Sequence, residues 1–255
     1  MTTFFQSRFS HTKTGLSKLA LAVAGSVALL ASAPAAAAVI NFENQWPTIY
    51  FPGESFEESG YVLTAIDNHD GSGIPGGIAN GNDPTTCPEG GCPAGNSSLY
   101  YIGVNDGGLD IARNWVENTF ILRGFDFSFV APLGGLKTGS YGQLQLNATT
   151  VGGATIATSL DFPAIVGGRP QFGTAMLDSA FLNTTLTSLS FRACLFDGSS
   201  CVNPEDGDMF INQAQFAIDN IDLAEVPEPG SIALIGLGMG ALALRRRKTT
   251  ATNNA

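Results

Sequence analysis

The chain has 255 residues, with 12 Lys and Arg against 22 Asp and Glu, and a formal net charge of −10. So acidic a chain repels the phosphates of nucleic acid, which argues against nucleic acid as a partner. Its length allows one domain with a sizeable buried core.

The first 38 residues are predicted to be a signal peptide. Residues 19–31 ("LALAVAGSVALLA") are apolar, and "APAAAAVI" offers small residues for cleavage after Ala38. A transmembrane anchor is the alternative, but the run is short for one. We expect export across the inner membrane through the Sec translocon, with removal of the segment by signal peptidase. The positive charges that precede the apolar run are Arg8, Lys13 and Lys18.

The body, residues 39–226, is predicted to consist of short strands separated by turns. Phe125, Phe127 and Phe129 recur at period two within 119–132, as a half-buried strand requires. No stretch shows sustained helical periodicity. We therefore expect an all-β fold, a single antiparallel β-sandwich of jelly-roll type. The other predicted strands are 39–43, 60–66, 99–104, 142–149, 154–162, 185–196 and 208–223.

Residues 67–98 interrupt this pattern of strands. The segment is rich in Gly, Pro and Asn and shows no apolar face, so we expect a long, partly ordered loop. His69 lies within it and is the one histidine left once His11 is removed with the signal peptide. A base held in a glycine-rich loop is poorly placed for catalysis, and His69 is interpreted as a solvated residue.

The four cysteines form two near-neighbour pairs, each around a glycine-containing turn. Cys87 and Cys92 lie in "CPEGGCP", and Cys194 and Cys201 lie in "CLFDGSSC". Three connectivities are allowed, and the sequence alone does not choose among them. An exported compartment favours disulfides, and local bridges are the simplest pairing. A zinc site is the alternative, although neither pair has the C-x2-C spacing.

The C-terminal region has three parts, followed by a polar tail at 249–255. Pro227-Glu228-Pro229 precedes an uncharged apolar run at 231–244. As a helix this run is about 21 Å long, short against a hydrocarbon core of about 30 Å. Cations beside a membrane segment favour the cytoplasmic side, so the body faces outward. We expect a transient membrane anchor. The cations are Arg245, Arg246, Arg247 and Lys248.

The order and spacing of these parts resemble the PEP-CTERM sorting signal, here at 227–248. Just upstream, the segment from Gln215 to Asp219 ("QFAID") is similar to the Q-F-x-x-D box of one PEP-CTERM subgroup. The resemblance implies an exported or cell-surface protein of a Gram-negative bacterium that often makes exopolysaccharide. It also implies processing by an exosortase-type enzyme, but it implies no activity.

The two ends of the body suggest a cation site. Glu43 follows the first predicted strand, and Asp219 lies in the last. This arrangement resembles the jelly-roll sandwiches of carbohydrate-binding modules, in which the first and last strands often pair and carboxylates near both ends share a structural calcium. The resemblance implies a calcium between Glu43 and Asp219, with Asn220 or loop carbonyls as further oxygen ligands. A turn cap or a bond to backbone amides is the alternative role for Asp219.

Aromatic residues near predicted strand ends offer platforms for sugar rings, because ring faces pack against C–H surfaces while nearby amides bond hydroxyls. Core packing is the alternative for each of them. The candidates are Trp46, Tyr50, Tyr100, Tyr101 and Trp115.

Motifs of nucleophilic, zinc-dependent and nucleotide-dependent enzymes are absent from the sequence, and no catalytic residue is nominated. We therefore expect a non-enzymatic surface or matrix protein associated with exopolysaccharide and biofilm, with carbohydrate binding as its activity. The alternative is a secreted polysaccharide-active hydrolase with a jelly-roll fold.

Overall fold

The computed structural model describes residues 37–67, 73–87, 91–114, 119–132, 140–196, 200–202 and 214–226, together with Gly238. The named strands all belong to one compact unit, Ala35–Val226. In chain order they are β1 (Ala37–Ile40), β2 (Thr48–Tyr50), β3 (Ser55–Glu58), β4 (Tyr61–Ile66), β5 (Gly76–Asn80), β6 (Leu99–Gly103), β7 (Gly108–Arg113), β8 (Phe120–Phe129), β9 (Ser140–Thr150), β10 (Thr155–Asp161), β11 (Gly173–Thr174), β12 (Leu186–Phe196), β13 (Cys201–Val202) and β14 (Phe216–Glu225).

Helical structure in the described residues is slight. It comprises a 3-10 helix at Pro84–Thr86 and a four-residue helix, α1 (Ser179–Leu182), capped by the Asp178 side chain. In this part of the chain no helix has the length and apolar character needed to cross a membrane. The predicted apolar segments at 19–31 and 231–244 lie outside the described residues, apart from Gly238.

Antiparallel strand pairing builds two sheets that meet at one corner. The first sheet has the order β2-β5-β6-β14-β8, with β1 beside the second half of β14 and β11 beside β8. The second has the order β3-β4-β7-β12-β9-β10, with β13 beside the end of β12. The corner is a single pair, Leu186 of β12 with Phe120 of β8.

The inner faces of the two sheets share the main hydrophobic core. Phe125 of β8 meets Phe191 of β12 with ring centroids 5.1 Å apart, and Tyr61 of β4 meets Phe120 of β8 at 5.4 Å. Phe127 and Phe129 are also buried, as their period-two spacing predicted. The predicted fold class, a single antiparallel β-sandwich of jelly-roll type, is confirmed.

The first and last strands pair, as expected from the ends of the body. Val39 lies opposite Asp222 and Ile40 opposite Ile221. The strand ends at Ile40 rather than at residue 43, because Phe42 adopts a left-handed backbone conformation with φ 58°. That conformation turns the chain away from the extended direction of the strand.

The expectation of a loop throughout 67–98 was wrong for residues 76–80, which form β5 between β2 and β6. Ile78 is 2% exposed and Ala79 is fully buried. Gly76 belongs in this strand because a side chain there would overlap the hydroxyl of Tyr101. That hydroxyl donates to the Gly108 carbonyl of the second sheet at 2.9 Å. The glycines mark close packing here rather than a turn.

The outer face of the first sheet carries a second, smaller core, which we call the outer cluster. Phe172 packs on it, with its ring 5.2 Å from that of Tyr100. Two loop segments cover this face, one around Ala94 and the other at 170–172, and we call them the cover. They are joined by backbone hydrogen bonds from Ala94 N to Pro170 O and from Phe172 N to Ala94 O, both 2.8 Å. The outer cluster consists of Ala79, Tyr100, Ile102, Val130 and Ala217.

Candidate functional site

A groove of about 590 Å³ lies at the end of the first sheet where three segments converge. One wall is the loop 43–47 between β1 and β2. The other is built from Asn80 and Asn82 at the end of β5 and from residues 97–99, which lead into β6. Amide and hydroxyl side chains therefore line most of the groove, and one tryptophan stands at its edge.

Trp46 is 83% exposed. Its loop is nevertheless held firmly, because one carboxylate oxygen of Glu58 accepts the backbone N–H groups of Asn41 at 3.1 Å and of Phe42 at 2.8 Å. The side chain of Gln45 adds a bond to the Glu57 carbonyl at 3.2 Å. Phe42 has a positive φ, and a bulky residue in that conformation is strained by about 1–3 kcal/mol. The bonds to Glu58 hold Phe42 in this conformation. The indole ring is thus exposed on a fixed backbone.

The opposite wall is fixed by its own amide groups. The side-chain oxygen of Asn80 accepts from the backbone N–H of Asn82 at 2.9 Å, and the Asn82 amide donates to the Ser97 carbonyl. The Thr86 hydroxyl anchors Asn80 by accepting its N–H at 2.8 Å. The amides are therefore pre-positioned at the groove rather than free to rotate.

Glu43 joins the two walls. Its side chain accepts the backbone N–H of Leu99, the first residue of β6, at 3.0 Å. Of the described residues that line the groove, Glu43 is the one with a carboxylate. The sequence-predicted site residue is therefore in the groove, where it ties the tryptophan loop to the sheet.

Asp219 lies on the outer face of β14, beneath the segment 96–98, and is only 1% exposed. Its carboxylate accepts from the Asn96 amide at 2.7 Å, from the Ser98 hydroxyl at 3.1 Å and from the backbone N–H of Asn220 at 2.7 Å. Burial raises the pKa of Asp219 to about 6, and these three bonds oppose the rise. The carboxylate fastens the 96–98 segment onto the sheet.

A bulge in β14 turns this part of the strand. Asn220 has a φ of 50°, and the register of β14 against β8 shifts between Asp219 and Asp222. The Asn220 amide leaves the strand to donate to Asp126 on β8 at 2.9 Å. Bulges of this kind re-aim neighbouring side chains, which here places Asp219 under the groove wall.

The surroundings of Asp219 do not fit a calcium ligand. Its partners are N–H and O–H donors, whereas calcium needs a cage of six to eight oxygens. Among the described residues no group of three or more His, Cys, Asp or Glu side chains is placed to hold a metal ion. The hydrogen-bonded alternative considered for Asp219 agrees with these contacts.

The five aromatic residues proposed as platforms differ in their exposure to solvent. Trp46 is exposed, whereas Tyr100 and Tyr101 are fully buried, so the interpretation of these two as platforms was wrong. Tyr50 is half-buried and stacks on Phe56 at 4.7 Å. Trp115 lies outside the described residues.

Both near-neighbour disulfides are present, Cys87–Cys92 and Cys194–Cys201. The first belongs to the cover of the outer cluster. Its Cys87 sulfur accepts from the Tyr100 hydroxyl at 3.2 Å, and Arg169 donates to the Cys92 carbonyl at 2.8 Å. His69, Pro227-Glu228-Pro229 and the cations at 245–248 lie outside the described residues.

Several residues that line or support the groove were not predicted. Asn80 and Asn82 fall in the segment interpreted as a loop, where "ANGND" marks only a turn. Glu58 shows no sequence signal, since an acidic residue beside a turn is normally solvated. Its role depends on β3 meeting the end of β1 in space, which spacing along the chain does not reveal.

Comparison with known proteins identifies the C-terminal segment. Residues 225–248 match the family model of the PEP-CTERM protein-sorting motif, which confirms the resemblance. The motif implies an exported protein that is sorted to the surface and processed by an exosortase. No curated protein matches the chain.

Solved structures that align with the chain do so weakly. TmCBM61 in complex with beta-1,4-galactotriose is 9% identical at TM-score 0.32, with 74% of this chain and 94% of that chain covered. A DUF4465 family protein from Bacteroides ovatus is 11% identical at TM-score 0.34, with 75% and 100% covered. The CBM22-1–GH10 modules of Clostridium thermocellum xylanase 10B are 10% identical at TM-score 0.32, with 75% and 28% covered. The fold assignment here rests instead on the strand pairing of the chain itself.

Proposed function

We propose that this exported protein binds extracellular polysaccharide through the groove beside Trp46 and does not cleave it. The observation that carries the proposal is the exposure of the Trp46 ring, 83%, on a loop fixed by Glu58. An exposed indole ring gains free energy when a flat apolar surface packs on it and removes it from water. A sugar ring presents such a surface through its C–H groups.

The polar residues around the ring suit the rest of a saccharide. Asn44, Asn80, Asn82 and Ser97 place amides and a hydroxyl within the same groove as Trp46. Ligand sites commonly combine one apolar surface with a few polar groups that fix orientation. Because the amide walls are already hydrogen-bonded in place, little ordering cost remains for the bound state.

The groove favours binding over hydrolysis. Glycosidases use two carboxyl groups about 5–10 Å apart on either side of the scissile bond. The described lining of this groove supplies one, Glu43, which is already engaged with the backbone of Leu99. Incubation of the polymer with the protein should therefore generate no new reducing ends.

Affinity electrophoresis of the exported protein through gels that contain the producer's exopolysaccharide tests the proposal. Trp46→Ala should weaken retardation at least tenfold, about 1.4 kcal/mol of binding free energy. Met176→Ala is the matched control, because Met176 is 87% exposed but lies outside the groove. Equal retardation of the wild type and Trp46→Ala contradicts binding at this site, and new reducing ends contradict its non-enzymatic character.

We also propose that the C-terminal segment holds the protein in the inner membrane until an exosortase releases it. Replacement of Pro227-Glu228-Pro229 by three alanines should leave an unprocessed, membrane-associated form, detected by immunoblotting of membrane and medium fractions. Alanine replacement of three polar residues in the tail, Thr249, Thr250 and Thr252, is the control. Normal release of the first variant contradicts this sorting route.

A further inference from the structure

The Q-F-x-x-D box ends at Asp219, and the matched sorting motif begins at residue 225. A signal so close to that motif would suit recognition by the sorting machinery, which needs side chains that another protein can touch. The folded body hides these side chains. The exposed fractions of Gln215, Phe216 and Asp219 are 4%, 0% and 1%, and the two residues between them are fully buried. The box is therefore an internal part of the sandwich.

The first two residues of the box fix β14 between its neighbours. The carbonyl of Gln215 accepts the backbone N–H of Val130, just after β8, at 3.2 Å. The Phe216 ring packs so closely on Gly103 of β6 that a side chain on this glycine would overlap the ring. A glycine in a strand often marks such a close approach. Because β6 starts within residues 97–99, the box also sets the place of one groove wall.

Asp219, the last residue of the box, holds that wall through a set of linked hydrogen bonds. Its Oδ2 accepts from the Asn96 amide at 2.7 Å and from the Ser98 hydroxyl at 3.1 Å. The Asn96 side chain in turn accepts the backbone N–H of Ser98 at 2.7 Å. The residues on both sides of Ser97 are therefore tied to one buried carboxylate, and Ser97 itself lines the groove.

The wall held by Asp219 also carries an amide of the groove. Gly81 donates its backbone N–H to the Ser98 carbonyl at 2.9 Å, and a side chain on Gly81 would overlap the Asn96 carbonyl. The Asn82 amide donates to the Ser97 carbonyl. Because these segments pack on each other, loss of the carboxylate would release the 96–98 segment and free Asn82 and Ser97 from their fixed positions.

We infer that the Q-F-x-x-D box serves the groove and not the sorting step, with Asp219 as a positioning residue for the saccharide site. This assignment rests on the proposed function, because it gives the Trp46 groove a support. Asp219 is too deeply buried to touch a saccharide, so it acts through Asn82 and Ser97, which line the groove. A wall that is ordered before binding loses less affinity to ordering than one that must be ordered by the ligand.

Affinity electrophoresis in gels that contain the producer's exopolysaccharide tests the role of Asp219 in binding. Asp219→Asn keeps the size of the side chain, but its amide group meets at least one of the three donors with an N–H. Asp219→Asn and Asn96→Ala should each raise the dissociation constant at least threefold. Combined, they should weaken binding no more than the stronger single change does, because both break one network. Asn96→Ala leaves β14 untouched and decides the question where Asp219→Asn fails to fold.

Solution NMR on the same 15N-labelled variants provides a local readout. The amide signals of 81–82 and 97–99 should shift in both variants without any saccharide, whereas signals on the second sheet should stay in place. Asp106→Asn is the matched control, because Asp106 is also buried, accepts the backbone N–H of Ala214 and does not line the groove. It should lower the urea midpoint and leave the dissociation constant unchanged.

Sorting is measured by immunoblotting of membrane and medium fractions. Asp219→Asn should distribute between the two fractions as the wild type does. If Asp219→Asn folds, as shown by wild-type resistance to trypsin, but stays with the membrane, the box is needed for sorting and the inference is overturned.

The binding outcomes separate this inference from the proposed function. Retardation of the wild type with equal retardation of Asp219→Asn and Asn96→Ala overturns the inference and leaves the Trp46 groove standing. An equal loss of binding in Asp106→Asn also overturns it, because the effect would then follow from lost stability alone. A wild type that is not retarded contradicts the proposed function, and the inference with it.

Discussion

The outer faces of the two sheets differ in what covers them. On the first sheet five outward residues form the apolar outer cluster, Tyr100 and Ala217 among them, and two loop segments with a disulfide bury them. On the second sheet the outward row is Thr64, Asp110, Ser190 and Asn147, and it lines an open groove. Apolar surface must be removed from water, whereas hydroxyls and amides can remain there. The cover therefore follows from the residue type at alternate positions of each strand.

The two grooves are also built from different kinds of element. The Trp46 groove is made of loops and of the strand ends beside the cover, where Asp219 holds the segment 96–98. The groove on the second sheet is made of strands alone. Loops can present a protruding ring, and strands present a flat array at fixed spacing.

The largest loss of stability is expected from removing an aromatic residue that the cover buries. Tyr100→Ala should lower the free energy of unfolding by about 3–5 kcal/mol, because it empties the outer cluster beside Phe172. Urea denaturation followed by circular dichroism measures it. A loss below about 1 kcal/mol contradicts the view that this face is a true core.

The Cys87–Cys92 bridge should contribute less to the free energy of unfolding than Tyr100 does. Replacing both cysteines by serine removes a short loop constraint of about 2 kcal/mol. The Cys194–Cys201 bridge closes a loop of similar length away from the cover, so the Cys194→Ser, Cys201→Ser double variant is the control. In urea denaturation the first variant should lose more stability than the second, because it also loosens the covering segment. Equal losses contradict a role of the bridge in the cover.

The pH dependence of stability should report Asp219 beneath the cover. The folded protein keeps this carboxyl protonated up to about pH 6, whereas the ordinary pKa is 3.8. Between these values the folded state binds more protons than the unfolded one, so stability falls as pH rises from about 4 to about 6.

The measurement is the Tm of the wild type and Asp219→Asn across pH 4–7. The wild type should lose a few °C more than the variant over that window. Outside the window the two curves should run parallel. If they are parallel throughout, Asp219 does not titrate as its burial predicts.

The smallest effect is expected on the uncovered face. Asn147→Ala should change the free energy of unfolding by less than about 0.5 kcal/mol, since its side chain supports no cover. The same urea titration used for Tyr100→Ala measures it. A loss comparable to that of Tyr100→Ala would show that the second sheet also depends on its outer side chains.

Sequence patterns predicted the strands with clear alternation, and the resemblance to jelly-roll modules implied the meeting of the chain ends. The phenylalanines of β8 alternate in the sequence because one face of that strand is buried. The pattern failed where both faces are buried. In β6, Tyr100 faces the outer cluster and Tyr101 faces the main core, so neither is available as a platform. Adjacent buried tyrosines show no alternation, and only the three-dimensional cover explains them.

The sequence predicted only part of the candidate site. Trp46 was identified as an aromatic residue near a predicted strand end, and Glu43 as a carboxylate that follows the first predicted strand. The opposite wall depends on β5, whose glycines suggested a loop because the sequence does not show which backbone approaches them. The partnership of Asp219 with Asn96 and Ser98 joins residues more than a hundred positions apart, beyond the range of any local pattern.

The position of β14 has a consequence for when the protein folds. Among the described residues it is the last strand in chain order, yet it lies between β6 and β8 in the first sheet and also pairs with β1. During synthesis the first sheet lacks its centre until residues 216–225 have left the ribosome. Contacts between such distant parts of a chain also form slowly. The sandwich therefore cannot close until β14 has been synthesised, which gives an exported chain time to be engaged while its body is still unfolded.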